Sequence, residues 1–175
     1  MKMSDKGIEW LKDKENKVLD IHGNHIIYDD RTGKPVNPNA PMPPGATIGY
    51  GHLIKPGEDF SKGISEHDAI ALLRSDIAVA ERAVNDNITV PLAQNQYDAL
   101  VSLAYNIGSG GFKNSTVVKY INNPDFHSSV YSDLESAWRA WNRTQGIVSN
   151  GLTRRRQNEW NMYTHGIYRI KYHDR

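Results

Sequence analysis

The chain has 175 residues, 38% of them hydrophobic, with four Trp and nine Tyr, which is enough apolar material for a folded core and too much for a disordered chain. Lys and Arg number 21 against 20 Asp and Glu, so the positive excess with which a dedicated nucleic-acid binder meets phosphate is missing. Cysteine is absent, which excludes disulfides, thiolate metal sites and cysteine nucleophiles.

Ser4 to Lys14 reads as a short helix capped by Ser4, with Ile8 and Leu11 three apart and Trp10 on an adjoining face. Glu15 leaves its end. From Val18 to Tyr28 the β-branched content rises, and Gly23-Asn24 between apolar runs is a hairpin signal. Residues 31 to 46 read as a loop, because Gly33, Pro35, Pro38, Pro41, Pro43, Pro44 and Gly45 crowd one stretch and rule out a central strand. The stretch from Pro35 to Gly45 is expected to lie on the surface. Thr47-Ile48-Gly49-Tyr50-Gly51-His52 follows it.

Helical periodicity takes over after residue 62. Ser65 and Asp68 form a capping arrangement, and Ala69, Leu72, Leu73, Ile77, Ala80 and Val84 recur at helical intervals. Asn95 to Ile107 is apolar on most faces, as in a buried central helix, and the glycines between Gly108 and Gly111 are expected to end it. Ser115–Ile121, Ser132–Trp141 and Thr153–Thr164 complete the helices. No stretch at the start has the apolar length of a signal peptide, and no window is long enough for an integral membrane segment. The fold class expected is α+β and predominantly helical, in a single domain spanning 1–175. A small β-hairpin lobe over about 15–62 is joined by a long helix to an all-helical lobe over about 63–165, which also takes in the N-terminal helix. A groove between two such lobes suits a polymeric substrate.

Two carboxylates held by different local structures, with a hydroxyl nearby, meet the needs of glycosidic hydrolysis. One acid protonates the leaving oxygen, and the other activates water or becomes the nucleophile. Each residue also has a plain reading. Glu15 stands among Lys12, Lys14 and Lys17, where a solvated acid is ordinary; partial desolvation would raise its pKa and suit it to act as an acid. Asp29-Asp30 ahead of Arg31-Thr32-Gly33 is a common turn pattern, and Thr47 alone is a strand residue.

The ordered set of motifs resembles the phage-type lysozymes, the endolysin family that cuts bacterial peptidoglycan. The set runs Glu15; Tyr28-Asp29-Asp30-Arg31-Thr32-Gly33, which matches Tyr-x-Asp-x-x-Gly; and Thr47-Ile48-Gly49-Tyr50-Gly51-His52. It continues through Leu92, Gln94-Asn95-Gln96 and Asp98-Ala99-Leu100, then Tyr105-Asn106-Ile107-Gly108, Ser115, Trp138 and Trp141-Asn142, and Gly151-Leu152, Arg155-Arg156 and Glu159. The register of Tyr-x-Asp-x-x-Gly selects Asp30 over Asp29. Fourteen residues lie between Glu15 and Asp30 and 16 between Asp30 and Thr47, longer than the family's usual spacings, and both additions fall where turns lengthen.

The resemblance implies a lysozyme fold and an N-acetylmuramidase that cleaves the β-1,4 bond between N-acetylmuramic acid and N-acetylglucosamine in host cell lysis. Glu15 would be the general acid, and Asp30 with Thr47 would position the water, with inversion at the anomeric carbon. Tyr50, Gln96, Tyr105 and Asn106 are candidates for substrate binding, with core packing an equal alternative for them. His52, pairing with an acid of the long helix, and Arg156 have structural roles. The expected partner is the peptidoglycan glycan strand, met by a monomer with no cofactor and no metal. The protein would stay in the host cytoplasm until release and act on the wall in the periplasm. A lysozyme-like effector exported by a secretion system would use the same chemistry. A silent glycan-binding module would need neither Glu15 nor Asp30.

Other motifs carry less. His22 and His25 flank a turn without a third ligand. Arg154-Arg155-Arg156, on a helix with Glu159 and Trp160, reads as a solvated or salt-bridged face rather than a nucleic-acid site. A phosphate loop is absent, and no local motif supports a serine hydrolase.

Overall fold

The computed structural model describes residues 1–37 and 39–170. Ser4 starts the first helix, α1 (Asp5–Lys14), by accepting the Gly7 amide on its hydroxyl at 3.0 Å. Ile8, Trp10 and Leu11 form its buried side, and Glu15 sits in the bend that ends it.

The hairpin expected between Val18 and Tyr28 is a loop. Ahead of Tyr28 it forms isolated antiparallel bridges, Leu19 with His25 and His25 with Ile64, with the Asp20 amide on the Asn24 carbonyl at 2.9 Å and the Ile26 amide on the Val18 carbonyl at 3.0 Å. The Asp20 carboxylate takes the amides of His22 and Asn24 at 2.8 and 3.0 Å. A side chain thus satisfies groups that a ladder would otherwise use.

The sheet that does form has the order β2-β1-β3-β4 and is antiparallel throughout, from β1 (Tyr28–Asp29), β2 (Lys34–Pro35), β3 (Ala46–Ile48) and β4 (His52–Leu53). Reading 31–46 wholly as loop missed β2. Pro35 is tolerated there because β2 is an edge strand. The stretch from Pro35 to Gly45 is mostly exposed, but Val36 packs against the buried cluster of Ile27, Ala46 and Ile48, together with Ile54, Phe60, Ile64 and Leu72. Pro38 lies outside the described residues.

Helix α2 (Glu66–Asn87) is capped by the Ser65 hydroxyl, which accepts the Asp68 amide at 3.1 Å. Helix α3 (Gln94–Ile107) ends at Gly108, whose φ of 92° suits glycine alone. The chain does not then enter a loop, because α4 (Ser109–Lys113) begins at once. Helix α5 (Thr116–Asn122) is capped by Ser115 and α6 (Leu134–Arg139) by Asp133. A hairpin of β5 (Arg143–Thr144) and β6 (Ile147–Val148) follows, absent from the sequence-based expectation. Its corner, Gln145-Gly146, holds φ of 51° and 78°, the positive pair that matches strand twist in a tight turn. Helix α7 (Asn150–His165) closes the set, starting earlier than Thr153 because Ser149 caps it.

The chain divides into two compact units. One is Lys12–Asp76; the other is Met1–Leu11 with the chain from Ile77 onward. The division falls inside α2 rather than near residue 62, so the front of that helix belongs with the sheet. In the helical unit α3 packs against α7 and α6 against both α5 and α7. Within its core Glu159 is fully buried and receives the Ser102 hydroxyl at 2.5 Å and the Trp138 indole N–H at 3.1 Å. The triple arginine is correspondingly not one face: Arg154 is exposed, while Arg155 and Arg156 turn inward to Glu159. Among the described residues no helix is long and apolar enough to cross a membrane.

Candidate active site

The short sheet sets the positions of the two aspartates. Tyr28 pairs with Thr47 across β1 and β3, and Asp29 pairs with Ala46. Side chains alternate along a strand and directly opposed residues share a face, so Tyr28 and Thr47 lie on one face and Asp29 on the other. The ladder continues past β1, the Asp30 amide donating to the Gly45 carbonyl at 2.9 Å. Asp30 follows the strand in a turn, and its charge acts on the Tyr28 hydroxyl.

Glu15 is brought to the same neighbourhood by two contacts. The Tyr28 hydroxyl donates to the carbonyl of Asn16, the residue after Glu15, at 3.1 Å. A Cβ on Gly51 would stand 3.3 Å from Glu15 Oε2, and Gly51 itself has φ of 92°. Only glycine lets the β3–β4 turn pass this close to the carboxylate. Burial, with the negative charges of Asp30 and then Glu15 added, pushes the Tyr28 hydroxyl up to about 12. The phenol therefore stays neutral and donates to Asn16.

The neighbouring aspartates differ in their partners. Asp29 is saturated by Arg31: Oδ1 accepts the Arg31 amide at 2.9 Å and Nε at 3.1 Å, and Oδ2 accepts a terminal guanidinium nitrogen at 2.8 Å. Those hydrogen bonds hold its carboxyl below the usual range. Asp30 is exposed, and among the described residues its carboxylate makes no hydrogen bond. Thr47 is 3% exposed and donates its hydroxyl to the Gly45 carbonyl at 2.9 Å.

The phage lysozyme sequence profile matches residues 32–159. The chain belongs to the phage lysozyme family. Glu15 and Asp30 precede the matched stretch, so the match does not bear on either. The chain is 33% identical over 160 residues to the endolysin of Salmonella phage P22, covering 90% of this chain and 94% of that one. It is 39% identical over 122 residues to the endolysin of Bacillus phage B103. It spans less than half the length of that relative and of the endolysin of Bacillus phage PZA, at 43% and 44%. Among solved structures the endolysin of Escherichia coli O157:H7 phage FAHEc1 superposes with a TM-score of 0.71 at 31% identity, covering 97% of both chains. A variant of P22 lysozyme gives 0.69 at 28% identity over 93% of this chain and 98% of that one. The lysozyme-like fold of the family is thus the fold of this chain.

The remaining candidates fall in varied places. Tyr50 is buried at 3%, its hydroxyl donating to both oxygens of Glu66 at 2.6 and 2.8 Å and its ring edge-on to His25 at 4.9 Å. For this residue, core packing is the arrangement found. Glu66 also receives Lys12 at 3.0 Å and His25 Nε2 at 2.8 Å. Burial works to raise its carboxyl, but the hydrogen bonds from Tyr50, His25 and Lys12 outweigh it and bring the pKa down to about 2. Glu66 was not singled out in the sequence, where it is only the first residue of a helix.

His52 sits between two acids, with Nδ1 on Asp76 of α2 at 2.9 Å and Nε2 on Glu58 at 2.9 Å. Burial lowers its pKa, but its hydrogen bonds to Glu58 and Asp76 prevail and raise it. In the helical unit Gln96 accepts the Ala93 amide at 2.9 Å and so serves the start of α3. Tyr105 is half-buried. Asn106 accepts Arg156 on Oδ1 at 2.8 Å and lines a cavity of about 700 Å³ with Ser115, Tyr131, Trp141 and Arg143. Arg156 is fully buried, 2.8 Å from Glu159. His22 and His25 form no metal cluster: His25 is fully buried on Glu66, and no group of three or more potential ligands exists among the described residues.

Proposed function

We propose that the protein is a phage endolysin, a peptidoglycan hydrolase that cleaves the β-1,4 bond between N-acetylmuramic acid and N-acetylglucosamine. Glu15 protonates the leaving glycosidic oxygen. Asp30 takes a proton from the attacking water, which Thr47 helps to hold, and the anomeric carbon is inverted. The observation that carries this reading is the pairing of Tyr28 with Thr47, with Tyr28 bonded beside Glu15 and the Asp30 amide and the Thr47 hydroxyl both on the Gly45 carbonyl. Asp29, on the other face and saturated by Arg31, stays out of the chemistry. Neighbours named as endolysins over nearly the whole chain support the substrate class. The protein acts as a monomer on glycan strands in the periplasm after release from the host cytoplasm, without metal or cofactor.

The test is turbidity loss of chloroform-treated Gram-negative cells, with new reducing ends counted and the first-formed anomer read by NMR. Wild-type protein clears the suspension and releases the inverted anomer. Glu15→Gln keeps the fold and loses at least about 100-fold in rate, as removal of a general acid requires. Clearing by Glu15→Gln at the wild-type rate would remove Glu15 from this role.

A further inference from the structure

We propose that the Gly45 main-chain carbonyl is a positioning group that locks Asp30 and Thr47 into one water-binding unit; this rests on the catalytic reading above. The oxygen accepts the Asp30 amide at 2.9 Å and the Thr47 hydroxyl at 2.9 Å. A carbonyl oxygen has two lone pairs, and here each is given to a residue assigned to the water. Gly45 lies where the proline-rich stretch rejoins the sheet, one residue ahead of β3.

The chemical consequence lies in the Thr47 hydroxyl. Its single proton is committed to Gly45, so toward a bound water it presents only lone pairs. An ionised Asp30 is likewise acceptor-only. A water whose two protons are taken by these two oxygens has its own lone pair left to face the anomeric carbon. As the new carbon–oxygen bond forms, the glycosidic carbon–oxygen bond breaks and the leaving oxygen takes the Glu15 proton. One water proton passes to Asp30, and Thr47 keeps its own.

The absence of a side chain at position 45 follows from the same geometry. A Cβ there would stand 2.7 Å from Asp29 Oδ1 and 3.3 Å from both Cγ and Nε of Arg31. Contacts below 3.0 Å force something to move. Asp29 cannot swing aside freely, because three hydrogen bonds from Arg31 hold it. An alanine at 45 therefore shifts the carbonyl that holds Asp30 and Thr47.

Four variants of the full chain test this on soluble glycan fragments, with kcat, KM and melting temperature measured for each: Gly45→Ala, Asp29→Ala, Asp29→Ala/Gly45→Ala and Asp30→Asn. Gly45→Ala should lose roughly 10- to 100-fold in kcat, the scale of a small misplacement of reacting groups, with KM within about twofold because ground-state binding is untouched. Asp29→Ala alone should keep most of its turnover. The double variant, with the obstructing carboxylate gone, should regain turnover to within about threefold of Asp29→Ala. Wild-type kcat in Gly45→Ala overturns the proposal, as does a double variant no better than Gly45→Ala. A lowered melting temperature with unchanged kcat overturns it in favour of a purely structural glycine. Asp30→Asn separates the two failures. If it turns over normally, the catalytic reading itself falls; if it is inactive while Gly45→Ala is normal, only the role of Gly45 falls.

Discussion

Replacing Glu159 by Gln removes one negative charge from the core of the helical unit at nearly constant volume. Ser102 at 2.5 Å, Trp138 at 3.1 Å, Arg156 at 2.8 Å and Arg155 at 3.5 Å converge on this fully buried carboxylate. Arg156 keeps the Trp141 carbonyl at 3.2 Å and Asn106 at 2.8 Å, so not every hydrogen bond is lost, but the charge balance is. Burial already pulls Arg156 below the usual guanidinium range, and the Glu159 charge is what opposes it. Stripping a buried ion pair of one partner costs about 3–5 kcal/mol. At roughly 2–4 °C per kcal/mol for a domain of this size, the melting temperature should fall by about 6–20 °C. Thermal unfolding by circular dichroism reads this directly. Arg154→Gln, on the exposed side of the same helix, is the control and should stay within about 0.5 kcal/mol of wild type. A fall for Glu159→Gln no larger than the control's would refute the view that this carboxylate neutralises the core.

Other expectations concern the sheet unit. Asp30→Asn should reduce lysis far more than Asp29→Asn in the turbidity assay, and the reverse order would mean that the chemistry uses the opposite face of β1. His52 has a folded-state pKa raised above its unfolded value. Its contribution is therefore fully present below the unfolded value of about 6.5 and is lost as pH rises through the folded one. Melting curves across neutrality should show that decline in wild type and a flatter profile in His52→Gln; equal slopes would deny the linkage. Replacing residues 37 to 44 by a short turn, with Val36 and Gly45 kept, should shift the melting temperature by only a few degrees, about 1 kcal/mol. Failure to fold would show that the stretch carries core contacts beyond Val36.

The long helices were legible because hydrophobic spacing and caps agree: Ser65 before α2 is a readable signal that the structure uses. The residues from Val18 to Tyr28 were misread because β-branched content does not reveal that the Asp20 side chain will take the loop amides. Strand β2 was hidden by Pro35, whose place on an edge depends on partners distant in sequence. The Gln145-Gly146 corner lacks the Asn or Asp that marks such a turn. The proposed catalytic residues Glu15, Asp30 and Thr47 were picked out by motif order alone. Glu66 and the Gly45 carbonyl were not, since the first gains its partners from three separate segments and the second acts through a main-chain atom that no residue type announces.

The neck of the proline-rich stretch has a consequence for engineering. Asp30 and Gly45 are hydrogen-bonded across its base, and Asp29 with Arg31 braces one side. With both ends fixed there, the cost of lengthening the intervening chain grows only slowly, about 0.6 kcal/mol for each doubling. Residues 39 to 42 are exposed, so a foreign peptide spliced between the two ends would project outward from a rigid mount. What such a fusion adheres to can then be changed by swapping the splice, leaving Glu15, Asp30 and Thr47 untouched.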